Sequence, residues 1–134
     1  MARKTECYVD TSAFIAFLDR SDSFHPLFRR LFAAPPPLLT SALVIAEGHG
    51  WFLRRYDSRR AIEFLTFVSE LNVLTIRPFD RDSIFKAAGL IRKFDDQRLT
   101  MADAHGLTIM TERATRLCWS TDRHLGLTGV PIAA

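Results

Sequence analysis

Apolar and polar positions alternate along this chain in two rhythms, one of period two and one of helical period. Residues Thr5 to Val9, apolar from Cys7 onward, read as a short strand. It ends at a polar corner, Asp10, Thr11 and Ser12, from which Ala13 to Leu18 continue as a helix. Ser21, Asp22 and Ser23 are placed to cap a second helix, in which Phe24, Leu27, Phe28, Leu31 and Phe32 recur at helical spacing until Pro35, Pro36 and Pro37 stop it. Leu38-Leu39-Thr40 is short and extended, and Ser41 is an N-cap for a long helix from Ala42 to about Tyr56. A further helix runs from about Ser58 to Leu71 with Ala61, Ile62, Leu65, Phe67 and Val68 as its apolar positions. Val73 to Ile76 is a strand, Asp80 to Phe94 and Thr100 to about Glu112 are helices, Arg116 to Ser120 is a strand, and Val130 to Ile132 is a last short one. This alternation predicts a mainly parallel sheet covered by helices, with right-handed connections.

Composition adds size and compartment. At 134 residues, 48% hydrophobic and with eleven Phe, the chain can fill one core and is too short for two, so residues 1–134 are read as a single domain. Cys7 and Cys118 both sit in apolar runs and are too few for a disulfide-stapled secreted domain, so buried thiols in a cytoplasmic protein are expected. No membrane span is expected: the uncharged stretch between Arg30 and Glu47 is short and broken by three prolines. The N-terminal apolar stretch is cut by Asp10 and Asp19, too early for a signal-peptide core. A net charge of +3 is mildly basic and by itself says little about nucleic acid.

In an open parallel sheet, ligands bind beyond the carboxyl ends of the strands. Asp10 follows the first strand there, and Thr121 and Asp122 follow the strand around Cys118. Thr40 and Ser41 lead into the helix that carries Glu47. Each has a plain reading as a helix cap or turn residue. Asp103, third after Thr100, has the capping-box spacing but sits among the small apolar Ala102 and Ala104. Glu47 stands in an apolar helix segment, where a carboxylate needs a hydrogen-bond partner, a proton or a metal unless it pairs with an arginine or reaches water at the rim, and Gly48 and Gly50 beside it predict close approach of another group. Taken together, Asp10, Glu47, Asp103 and Asp122 would converge on one side of the sheet. Two carboxylates about 4 Å apart repel by roughly 4 kcal/mol at an effective dielectric of 20, so such a cluster calls for a cation, a shared proton or several donors. An all-oxygen set suits Mg²⁺ or Mn²⁺, and the chemistry that follows is phosphodiester hydrolysis. Taking those four acids out of the balance leaves 18 positive against 11 negative residues, so the surroundings of such a cleft are more basic than the total implies.

Val9-Asp10-Thr11-Ser12-Ala13, the isolated Glu47 in Ser-Ala-Leu-Val-Ile-Ala-Glu, Leu99 to Ala104 around Asp103, and Ser120-Thr121-Asp122-Arg123-His124-Leu125 resemble, in order and spacing, the acidic motifs of PIN-domain nucleases, and the chain length resembles the VapC-type toxins among them. The resemblance covers almost the whole chain. It implies a small three-layer α/β/α fold with a mainly parallel central sheet, a homodimer, Mg²⁺- or Mn²⁺-dependent cleavage of RNA, and inhibition by a small antitoxin that enters the active-site groove. By the same resemblance Asp10 and Asp103 are the principal metal ligands, Glu47 and Asp122 complete the quartet, and Ser12 and Thr121 hold a water or the scissile phosphate. Asp96 lies near a place where some members carry an extra acid and is left out of the site.

Arg123, next to Asp122, is the best-placed phosphate contact, whereas Arg54, Arg55, Arg59 and Arg60 read as a solvated, helix-ending cluster. His25, His49, His105 and His124 lack metal-ligand spacing and read as surface or packing residues. The alternative function is a non-catalytic RNA- or protein-binding module of the same fold, separated from the enzyme by whether RNA is cut and whether Asp10→Asn abolishes the cut.

Overall fold

The computed structural model describes residues 6–133. In chain order it comprises β1 (Cys7–Val9), α1 (Thr11–Leu18), α2 (His25–Ala33), β2 (Leu38–Ser41), α3 (Ala42–Arg55) and α4 (Ser58–Glu70). There follow β3 (Leu74–Arg77), α5 (Arg81–Lys93), α6 (Met101–Arg113), β4 (Leu117–Trp119) and β5 (Ile132–Ala133). Short 3₁₀ segments at Asp95–Gln97 and Arg123–Gly126 fill connections that carry no periodic signal. Thr5, where the first strand is expected to begin, lies outside the described residues.

The five strands make one sheet in the order β3-β2-β1-β4-β5, and every neighbouring pair is parallel. Helices α1 to α4 pack against one another and α5 against α6, giving the three-layer α/β/α fold. Strands β1 and β2 are buried along their whole length, as parallel strands covered on both faces must be, whereas the edge strand β3 leaves Thr75 and Ile76 exposed.

Helix starts follow side-chain chemistry. The side chains of Ser41, Asp57, Asp80 and Thr100 each accept a backbone N–H in the first turn of α3, α4, α5 and α6. Helix α2 departs from expectation. Its N-cap position is Phe24, with no side-chain cap, and Asp22 instead accepts the Phe24 N–H at 2.8 Å, two residues ahead of the helix, with Pro26 in the first turn. In α4 the buried positions are Ala61, Phe64 and Val68, while Ile62 and Leu65 face outward. The cause lies in α3: a Cβ at Gly48 would stand 2.6 Å from the Phe64 ring, so the missing side chain seats that ring and fixes the rotation of α4. The ring completes an aromatic core with Phe14 and Phe52, at centroid distances of 5.8 and 5.7 Å.

The topology creates one crevice. From β1 the chain moves to one side through α1 and α2, and after β3 it returns through α5 and α6 to pair β4 on the other side of β1. The carboxyl ends of β1 and β4 therefore form a topological switch point. Their register sets Val9 opposite Trp119, which brings the next residues, Asp10 and Ser120, together. Cys7 and Cys118 are both buried, and no helix among the described residues is long and apolar enough to cross a membrane.

Candidate active site

Asp10 sits at the switch point. It occupies the N-cap position of α1, yet its side chain caps nothing. The Ser12 and Ser120 hydroxyls both donate to its Oδ2, each at 3.0 Å, and each hydroxyl also accepts a backbone N–H, from Thr121 at 3.0 Å and from Asp122 at 2.8 Å. The two serines thus lock the β4 exit loop to the carboxylate. Only 7% of Asp10 is exposed, and burial pushes its pKa up to about 6 against the opposing pull of these hydroxyls, with the Asp103 charge adding to the rise. Asp19 shows the contrast. It is equally buried, but the Ser21 N–H and hydroxyl and the Tyr56 hydroxyl donate to it, and these outweigh the burial and pull its pKa below the usual carboxylate range.

Asp103 is delivered by the start of α6. The Thr100 side chain accepts the Asp103 N–H at 3.1 Å and Asp103 Oδ2 accepts the Thr100 N–H at 3.0 Å, so the capping box is real. Structural and chemical readings of this residue coexist, because the box spends part of one carboxylate oxygen and fixes the rest. Burial first, and then the charge of Asp122, raise the Asp103 pKa, while the Thr100 hydrogen bonds and His124 oppose the rise.

Asp122 caps the short 3₁₀ segment, accepting the His124 N–H at 2.9 Å. That turn folds the His124 ring back, so Nδ1 lies 3.1 Å from Asp122 Oδ1 and 3.9 Å from Asp103 Oδ2. One donor atom from each of Asp103, Asp122 and His124 falls within 4.8 Å of the others, a spacing open to a metal ion. His124 is thus part of the acidic site rather than the surface residue its spacing suggests. The signal for it was the i, i+2 step from Asp122, which becomes meaningful only once the 3₁₀ turn is known.

Of the settings open to Glu47, the structure has the rim, with a hydrogen bond. The buried positions of α3 are Val44, Gly48 and Phe52, and Glu47 falls one step off that stripe, exposed at the rim. Its partner is Thr11, whose hydroxyl donates to Oε1 at 2.5 Å and ties α3 to the first turn of α1. Asp10, Glu47, Asp103 and Asp122 line a single open cleft of about 260 Å³, together with Thr11, Ser12 and Thr100 and two apolar side chains, Ile15 and Trp51.

Three named positions stay outside that cleft. Thr121 contributes only its backbone N–H, to Ser12, and the serine before it does the positioning. Arg123 is exposed at the start of the 3₁₀ segment. Asp96 is exposed in the other one and is not among the residues that line the cleft. The arginine cluster is structural: the Arg55 and Arg60 guanidinium groups lie 5.3 and 4.4 Å from the Tyr56 ring centroid, Arg60 donates to the Leu18 carbonyl, and Arg59 and Arg60 pair with Glu63.

Four acids carried on the ends of a parallel sheet and the adjoining helices define the class. The PIN-domain family model matches residues 7–129, and the chain belongs to that family. Among solved structures it is similar to VapC20 of Mycobacterium tuberculosis, described as a sarcin-ricin-loop-cleaving toxin, with a TM-score of 0.84 and 22% identity over 92% of this chain and 95% of that one. It is also similar to a chain of a toxin–antitoxin complex from Klebsiella pneumoniae, with a TM-score of 0.62 and 17% identity over 96% of both chains. No curated protein matches the sequence.

Proposed function

We propose that this protein is a Mg²⁺- or Mn²⁺-dependent endoribonuclease, the toxin of a type II toxin–antitoxin pair, acting in the cytoplasm as a homodimer. The observation that carries the reading is the burial of Asp10 and Asp103 beside Asp122 in one cleft. Like charges held out of water next to one another are stable only with a proton or a cation, and oxygen donors of this kind match a hard divalent ion. The donor set therefore fits: Asp10 and Asp103 as principal ligands, Glu47 and Asp122 beside them. His124 Nδ1 is a nitrogen donor that favours Mn²⁺ over Mg²⁺.

The chemistry such an ion supplies when bound is activation of water and neutralisation of charge on phosphate oxygens. The chain's own residues provide orientation. Ser12 and Ser120 fix the Asp10 carboxylate through Oδ2, the capping box fixes Asp103, and Thr11 holds Glu47 at the rim. Thr121 and Arg123, just beyond the cleft, are assigned to the RNA backbone leading away from the scissile phosphate. Membership of the PIN-domain family supports the nuclease reading, and the fold shared with a chain of a toxin–antitoxin complex supports a small antitoxin as partner. The homodimer is supported by large apolar side chains left exposed on the outer helices, among them Ile62 on α4 and Phe85 on α5 at 60% and 61% exposure.

The test is cleavage of RNA with and without added Mg²⁺ or Mn²⁺, against Asp10→Asn and Asp103→Asn. Metal-dependent cleavage lost in both variants is expected. Equal cleavage by native and variant protein would refute the assignment, and RNA binding without cleavage at any metal concentration would favour a non-catalytic module. Co-expression with the product of an adjacent short gene should suppress the activity.

A further inference from the structure

The cleft has an apolar wall that the acid chemistry leaves unused. Trp51 follows Glu47 by four residues on α3, one helical turn, so both side chains reach the cleft from the same face. Part of the indole packs on the core, and the rings of Phe52 and Tyr56 meet it edge-on at centroid distances of 4.9 and 6.1 Å, which holds it at a set angle. The rest faces the acids. Its N–H makes no hydrogen bond with the described residues and is not sealed in the interior. Ile15, one turn into α1, is the other apolar side chain of this wall.

A cleft of about 260 Å³ is below the roughly 300–1,000 Å³ that encloses a small molecule, and it suits one unit of a polymer passing through. A nucleotide brings to it a phosphate for the acid side and a base with two apolar faces. An aromatic side chain beside a phosphate site is the equipment of single-strand recognition, since every base offers a π-face and only an unpaired base can leave its stack.

Resting on the nuclease reading of this cleft, we infer that Trp51 is a stacking platform for an unpaired base next to the scissile phosphate. A base that has left its stack can occupy this position, and a paired one is rejected there. Trp51 positions substrate and is assigned no part in bond breaking.

The test uses a short oligouridylate, alone or annealed to oligoadenylate, bound in the presence of Mg²⁺ to protein carrying Asp10→Asn so that it stays intact. Trp51→Leu should weaken binding of the single strand roughly ten- to hundredfold with the salt slope unchanged, because stacking is lost and no phosphate contact is. Trp51→Phe, which keeps a ring, should stay within about fivefold. The chain's other tryptophan, Trp119, is only 2% exposed, so the difference in emission between the parent and Trp51→Phe isolates Trp51, and single strand but not duplex should quench it. In cleavage with Asp10 restored, Trp51→Leu should raise KM and leave kcat nearly unchanged. Unchanged affinity in Trp51→Leu, or Trp51 emission indifferent to RNA, would overturn the platform and leave this wall to an inhibitory protein partner. Should the Leu variant fail to fold, the quenching measurement and the Phe variant decide. The two readings fail separately: quenching without metal-dependent cleavage would sink the nuclease and keep the platform, and cleavage insensitive to Trp51 would do the reverse.

Discussion

Replacing Asp10 with Asn should make the metal-free protein more stable while abolishing its activity. Folding carries the Asp10 carboxyl from an ordinary pKa of 3.8 to about 6 because it is taken out of water beside Asp103. Below pH 3.8 the group is protonated in both the folded and unfolded chain and costs nothing. Between 3.8 and 6 the folded state binds the extra proton, so stability falls as pH rises, and above about 6 the full cost of the buried charge is present. That cost at pH 7 is about 3 kcal/mol, a large share of a small domain's stability and on the order of 10 °C in Tm. Asn retains one oxygen able to accept both the Ser12 and Ser120 hydroxyls, so the substitution removes charge and keeps the anchor. Urea unfolding in EDTA at pH 7.0 and 4.5 reads the effect: the variant should gain up to about 3 kcal/mol over native protein at the higher pH and much less at the lower. Mg²⁺ should then stabilise the native protein, by about 2.7 kcal/mol at a hundred times its Kd, and leave the variant largely unmoved. An Asn variant no more stable than native protein at pH 7 in EDTA would refute the claim that this carboxylate is held at a cost for the sake of a cation.

Other expectations follow from the same geometry. Mn²⁺ affinity, measured by titration calorimetry, should weaken up to tenfold per pH unit below about 6 as a proton competes for Asp10, and Ser120→Ala should move that limb to higher pH by removing a donor to the carboxylate. His124→Leu should weaken Mn²⁺ more than Mg²⁺; equal losses would place the imidazole outside the metal site. Gly48→Ala should cost about 1–3 kcal/mol by driving a methyl into the Phe64 ring, with Phe64→Leu as the rescuing second change in thermal melts. Thr100→Ala should cost about 1 kcal/mol in the same melts by removing the cap of α6, while cleavage persists because Asp103 keeps the Thr100 backbone N–H. Light scattering at micromolar concentration should give twice the monomer mass, and a monomer would end the homodimer proposal.

Much of this molecule was readable before any coordinates. The β-α-α alternation specified the layers, and Ser41 and Thr100 marked helix starts that the structure keeps. The acids at strand ends were legible because a parallel sheet has only one edge at which carboxyl termini gather. What escaped were contacts that tertiary rotation decides. Leu65 and Phe64 are adjacent and both apolar, and only the hole at Gly48 selects the ring for the interior. Glu47 looked enclosed because its sequence neighbours are apolar, but α3 turns its Val44-Gly48-Phe52 stripe inward and leaves the acid at the rim. Ser120 and Thr11 carried no signal of their own, and the step from Asp122 to His124 had no meaning until the 3₁₀ turn was known, since a hydroxyl or an imidazole acquires its role from the carboxylate it meets.

The bond from Ser120 to Asp10 joins residues 110 positions apart, and this has a consequence for synthesis on the ribosome. A nascent chain already contains Asp10, Glu47 and Asp103 when only the first part of the sheet can form. Until β4 emerges and pairs with β1, Asp10 has lost one of its two hydroxyl donors, the loop lock is open, and Asp122 is absent. A message broken or a ribosome stalled before that point therefore releases a fragment that has most of its acids but not the assembled site. On the proposed toxin function, the order of the strands alone withholds the assembled site from the cell that makes it until translation is nearly finished.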